Sequence, residues 1–357
     1  MNLPADPLAF LRPLVQGYGG FDQADRARRG AELLARLPRP PVALTPHRVV
    51  HRQNKLQLRY YAPSSAQATG RPVVVVPSMI NKAWICDLEP DRSLVGALAA
   101  AGHPTYLVDW GEPGPEDANQ DVGTVLLDLL HRSIDRACRH AGAAQAVLLG
   151  YCQGGTLAAM YSALRPQRVA GLIALNAPVD FEKGGRFRSF VQHLDVETAF
   201  DADRLVGTEL MAQAFKMLDP MGNIGRLTAI EAASHTPATL SRVLIRERWL
   251  EENVPMPGAF AQEFIRNAYQ DNRLLAGTWE VRGERVDLRR IAVPLMVLAC
   301  RRDFIAPPEA CLPLAQATSS PAVHEELLET GHIGVVVGSY GPKVFYPLLD
   351  RWIRNHS

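Results

Sequence analysis

Short, uninterrupted apolar runs recur along the chain, each closed by Gly, Pro or Asp: PVVVVP (72–77), PTYLVD (104–109), AVLLG (146–150) and AGLIAL (170–175). A strand whose two faces are both buried, as in a parallel sheet, needs continuous rather than alternating apolar residues. LQLRYY (56–61) alternates apolar with polar, the pattern of a half-buried strand. Between the runs the period becomes helical. RSLVGALAAAG (92–102) ends on glycine, the usual residue after a last helical turn. Residues 122–142 place Val122, Leu126, Leu129, Leu130, Ile134 and Ala137 at helical spacing. This alternation predicts an α/β fold, a doubly wound, mostly parallel sheet flanked by helices.

The rhythm stops near residue 180 and resumes at VPLMVLAC (293–300) and AVHEELLE (322–329). The stretch between holds helical segments such as ATLSRVLIRERWL (238–250) and GAFAQEFIRNAYQDNRLLAG (258–277). It reads as a helical cap, 181–285, inserted into a core of residues 41–180 and 286–357. An N-terminal helical segment, 1–40, leads into the core through the proline-rich RLPRPPVAL (36–44).

With 357 residues and 47% hydrophobic content, the chain can bury a large core. Its 38 basic and 37 acidic residues nearly cancel, which argues against a nucleic-acid partner. Five scattered cysteines do not suggest a disulfide framework and fit a reducing cytoplasm. The N-terminus lacks a basic region ahead of an apolar run, so no secretory signal is expected. No apolar run reaches the roughly 18 residues of a membrane span.

One stretch, LLGYCQGGTLAAMYSALRP (148–166), carries candidate chemistry. Gly150-Tyr151-Cys152-Gln153-Gly154 has the spacing of the nucleophile elbow G-x-S-x-G, with sulfur replacing oxygen, after a predicted strand and before a predicted helix. The glycines suit a strained turn in which strand and helix backbones nearly touch, and Gly155 extends that freedom into the first helical turn. The helix N-terminus favours a thiolate. The same glycines also suit a buried cysteine in an ordinary strand-to-helix turn.

Chain order weighs between these readings. In α/β-hydrolases the acid and then the histidine follow the nucleophile. LMVLACRRDFIAPP supplies Asp303 at the end of a late strand, and LLETGHIGVVVG supplies His332 between glycines after the next. Each residue alone is weak; three residue types at three expected places are hard to obtain by chance. No His/Cys/Asp/Glu spacing suggests a metal site. The basic run EKGGRFR (182–188) could meet an anionic tail, though such loops are more often simply solvated.

Gly150-Tyr151-Cys152-Gln153-Gly154-Gly155 resembles the lipase-like box of the polyhydroxyalkanoate synthases, where cysteine replaces the lipase serine. The similarity covers about residues 45 to 355. It includes VPSMINKAWICDLEPDRSLVGALAAAGHPTYLVDWGEP, LNAPVDFE, FAQEFIRNAYQDNRLLAG and the GHIG around His332. Length and the short N-terminal region resemble the class III catalytic subunit (PhaC-type). The resemblance implies an α/β-hydrolase fold with a helical lid and Cys152, Asp303 and His332 as catalytic triad. It also implies a second, PhaE-type subunit as partner, a homo- or hetero-oligomer and a place at the cytoplasmic surface of a polymer granule. The family commonly has histidine after the aspartate; here Phe304 stands there.

The chemistry so implied is acyl transfer from a short-chain 3-hydroxyacyl-coenzyme A to a growing polyester, through a cysteinyl thioester. Coenzyme A leaves as part of the substrate, and no separate cofactor is expected. The oxyanion would be held by the backbone N–H of Gln153 and one near Ile80 or Asn81. Two alternatives stand beside this reading: a cysteine hydrolase of the thioesterase or dienelactone-hydrolase type, and a non-enzymatic granule scaffold.

Overall fold

The computed structural model describes residues 20–37, 40–64, 71–218, 220–234 and 236–356. Eight strands form one sheet: β1 (Arg48–Gln53), β2 (Leu56–Tyr61), β3 (Val73–Val76), β4 (Thr105–Asp109), β5 (Ala146–Tyr151), β6 (Val169–Leu175), β7 (Leu295–Cys300) and β8 (Val323–Leu328). Their order is β1-β2-β4-β3-β5-β6-β7-β8. The β1–β2 and β2–β4 pairs are antiparallel. All later pairs are parallel.

Burial follows the sequence pattern. Every residue of β3, β5, β6 and β7 is buried, as their unbroken apolar runs require. The edge strand β8 alternates exposed and half-buried positions before closing on buried Leu328. Strand β1 was not expected from the pattern. It is the outer arm of a hairpin whose turn holds Asn54 at φ +53°, and Asn-Lys is a weaker turn signal than Asn-Gly.

Helices follow β3 (α1, Leu94–Ala100), β4 (α2, His131–Ala141) and β5 (α3, Gln153–Leu164), and a last helix ends the chain (α4, Tyr346–His356). The single helix expected over 122–142 is a π-helical turn, Thr124–Leu130, running into α2. It stops at Gly142 in the left-handed conformation that glycine adopts without strain. The helix expected over 258–277 comprises Gly258–Phe264, a π-turn over Ile265–Gln270, and Arg273–Ala276. Left-handed Asn272 interrupts it, spending its side chain on the Phe181 N–H at 2.8 Å and on Asp180 at 2.9 Å.

Compactness divides the chain into one unit of Met1–Pro41 with Ala212–Glu251 and a larger one of Val42–Met211 with Glu252–Ser357. The boundary falls inside the expected cap: 212–251 groups with the N-terminal segment, and 181–211 and 252–285 with the sheet. Phe181, Phe260, Phe264 and Trp279 join the core of the larger unit. In the smaller unit, helix Gly20–Arg36 packs on helix Pro220–Ala233. Arg26 and Arg29 there pair with Glu231 at 2.9 and 3.0 Å, and Gly30 lets the backbones approach at Leu227. Residues 1–19, 38 and 39 of the expected N-terminal segment and linker lie outside the described residues.

Candidate active site

Cys152 caps the N-terminus of α3 with φ +58° and ψ −132°, a conformation that a non-glycine residue holds only where its surroundings dictate it. The surroundings are backbone. A Cβ on Gly150 would strike Gly155, one on Gly154 the carbonyls of Val76 and Pro77, and one on Gly155 the Ala177 side chain. The Cys152 N–H donates to the Leu175 carbonyl at 2.9 Å, tying the turn to the end of β6. Cys152 is half-buried; Cys86, Cys138, Cys300 and Cys311 are buried.

Parallel register brings the other two candidates together. β7 and β8 pair through Cys300 and Leu328, and the pairing continues past both strands as the Arg302 N–H donates to the Thr330 carbonyl at 3.0 Å. The loops beyond therefore leave side by side. Asp303 Oδ2 meets His332 Nδ1 at 2.5 Å. The carboxylate can only accept, so Nδ1 carries the proton. Asp303 Oδ1 accepts from the Ile305 and Ala306 N–H groups, each at 2.9 Å, which fixes the carboxylate. Cys152 is the other hydrogen-bond partner of the imidazole. Both Asp303 and His332 are buried.

Burial alone would lower the proton affinity of His332, but the charge of Asp303, then Cys152, and the hydrogen bonds to both raise its pKa to about 10. The imidazole thus holds its proton through neutral pH, oriented on one side by a fixed carboxylate and facing sulfur on the other.

The loop after β3 holds the residues expected to supply the second backbone donor. The Ile80 N–H donates to Ser78 Oγ at 3.2 Å, and Asn81 bridges to Asn253. The Met79 N–H donates to Gln153 Oε1 at 3.1 Å. Gln153 is the first residue of α3, where a backbone N–H has no partner within the helix. Phe304, beside the pair, is 42% exposed. Among the described residues, no group of His, Cys, Asp and Glu is arranged to hold a metal ion. No helix among them is long and apolar enough to cross a membrane.

A family described as "Protein of unknown function (DUF3141)" matches residues 48–320. The poly(3-hydroxyalkanoate) polymerase subunit PhaC of Allochromatium vinosum is 30% identical over 339 residues, 94% of this chain and 96% of its own. The chain belongs to the DUF3141 family and to the PhaC polymerase family. PhaC polymerases are acyltransferase enzymes. The PhaC subunit of Thiocystis violacea is 26% identical over 350 residues, 97% of this chain and 99% of its own. Among solved structures, a soluble variant of monoglyceride lipase from Saccharomyces cerevisiae superposes with a TM-score of 0.59 at 12% identity. It covers 90% of this chain and 99% of the lipase. At that identity the likeness concerns the fold, which is that of the α/β-hydrolases.

Proposed function

We propose that this PhaC-family chain polymerises short-chain 3-hydroxyacyl-coenzyme A through a covalent cysteinyl thioester, with Cys152 as nucleophile, His332 as base and Asp303 as its orienting acid. The observation that carries the reading is the line Asp303–His332–Cys152 at the strained end of β5.

His332, its pKa raised to about 10, holds the proton taken from the thiol before substrate arrives, and the thiolate attacks the thioester carbonyl. The carbon–sulfur bond to coenzyme A breaks, and coenzyme A leaves as a thiol with the proton from His332. The acyl enzyme is again a thioester, so activation survives for the next step, whereas serine would trap the unit as a more stable ester. The 3-hydroxyl of the chain end then gives its proton to His332 and attacks the acyl carbonyl, so that one ester bond forms as the bond to the Cys152 sulfur breaks and the thiolate returns. The Gln153 N–H and one from the loop after β3, near Ile80 or Asn81, serve the oxyanion; one such donor is worth about 2.7–4 kcal/mol. Water exclusion falls to the helical stretch 181–285. A second, PhaE-type subunit and the surface of a cytoplasmic polymer granule complete the reading.

The test is coenzyme A release from 3-hydroxybutyryl-coenzyme A, with and without a candidate second subunit, followed by weighing of insoluble product. Polymer from the wild type and none from Cys152→Ala supports the proposal. Soluble hydroxy acid in place of polymer would make the chain a thioesterase, and acyl labelling retained in Cys152→Ala would refute the nucleophile.

A further inference from the structure

His332 has a long way to come. It rises from β8, the edge of the sheet, and must pass β7 and β6 to face the nucleophile at the end of β5. Its bond to Asp303 fixes the ring against a loop of the neighbouring strand β7, not against the nucleophile turn. We propose that Tyr151, the residue before the nucleophile, is a positioning residue that moors the main chain of His332 over Cys152, with Asn176 as its second.

The His332 carbonyl oxygen receives two donors. The Tyr151 hydroxyl donates at 3.0 Å and Asn176 Nδ2 at 3.4 Å, filling both lone pairs. The donors stand at the C-terminal ends of β5 and β6, the strands the histidine has to cross toward. Both residues are buried, Tyr151 at 2% exposure and Asn176 at 0%. Asn176 adopts φ +47°, a left-handed turn that Asn tolerates better than most residues, and its own N–H is held by the Leu298 carbonyl at 2.8 Å. The Tyr151 ring also lies against the imidazole, with centroids 5.3 Å apart and planes inclined at 31°. One side chain thus contacts the histidine through its backbone and its ring together.

The elbow motif leaves the residue before the nucleophile free, so nothing in the motif asks for a hydroxyl here. Burial, first, and the neighbouring Cys152 and Asp303 hold the phenol proton well above its ordinary pKa. The hydroxyl is therefore a permanent donor and no rival to His332 as base. Losing it would leave the His332 carbonyl held to the central strands by one longer bond, and small displacements of a base from its nucleophile are costly in rate.

This inference rests on the reaction proposed above, and its test separates the two. Tyr151→Phe keeps the ring and removes one donor. Expected are a fall in kcat of about five- to tenfold, the rate equivalent of one hydrogen bond, an unchanged KM and a displaced pH profile for alkylation of Cys152 by iodoacetamide. Asn176→Gly, which tolerates the positive φ, should act in the same direction. The double variant should lose more than the product of the single losses, because each donor backs up the other. An unchanged alkylation profile in Tyr151→Phe, or a change confined to KM, overturns the assignment. The alkylation profile does not need polymer formation, so it decides the point even where polymer fails to appear. Should Tyr151→Phe not fold, Asn176→Gly applies the same test at the same carbonyl.

Discussion

Gly154, in the first turn of α3, lies against the carbonyl oxygen of Val76, the last residue of β3, with no room for a Cβ between them. The obstacle is backbone and cannot swing aside as a side chain would. Gly154→Ala is expected to cost about 1–3 kcal/mol and to disturb the Cys152 turn. Urea denaturation and the Cys152 alkylation rate measure the two effects. Gly207→Ala, with nothing within 4 Å of the added carbon, is the control. Equal denaturation midpoints for the two variants would show that the contact is not tight.

Asp303→Asn removes the charge that opposes the burial of His332. The proton affinity of the imidazole should then fall, since Cys152 alone is left to oppose burial, the largest single influence. Turnover is expected to drop by about 10⁴-fold, the scale of the same change in a Ser-His-Asp triad. An NMR titration of the imidazole gives the first quantity and steady-state kinetics the second. A histidine that titrates as in the wild type would reject the pairing.

The same pair sets a stability dependence on pH. His332 binds its proton more tightly folded than unfolded, so its contribution is complete below about pH 6.5. It declines as pH rises and is lost on passing through about 10. The stability gap between wild type and His332→Gln should therefore shrink from pH 6 to pH 10. A constant gap would contradict the raised affinity.

His103 has the opposite sign. It is wholly buried, with Nε2 2.8 Å from Asp350 Oδ1 on α4. Burial lowers its proton affinity, more than its bond to Asp350 raises it. Its contribution is present above about pH 6.5 and is lost as pH falls through the folded pKa. Hydrogen-exchange protection of α4 should fall between pH 7 and pH 5, and unchanged protection would count against a stabilising role for the His103–Asp350 contact.

Much of this was legible because burial leaves a linear trace. Strands covered on both faces must be apolar throughout, so β3, β5, β6 and β7 could be read directly. A strained turn between touching backbones must carry glycine, and that exposed the Cys152 elbow. Strand β1 escaped because its residues are only partly covered and its turn lacks glycine. The left-handed break at Asn272 depends on bonds to Asp180 and Phe181, distant in sequence, which no local pattern encodes.

Four of the five thiols lie inside the molecule, where burial pushes Cys138 up to about 11, Cys86 and Cys300 to about 12, and Cys311 well above its ordinary value. Toward a soft electrophile in neutral buffer the folded chain should therefore behave as monovalent. One equivalent of reagent consumed per chain would count competent molecules in a preparation, and a second equivalent would report unfolding.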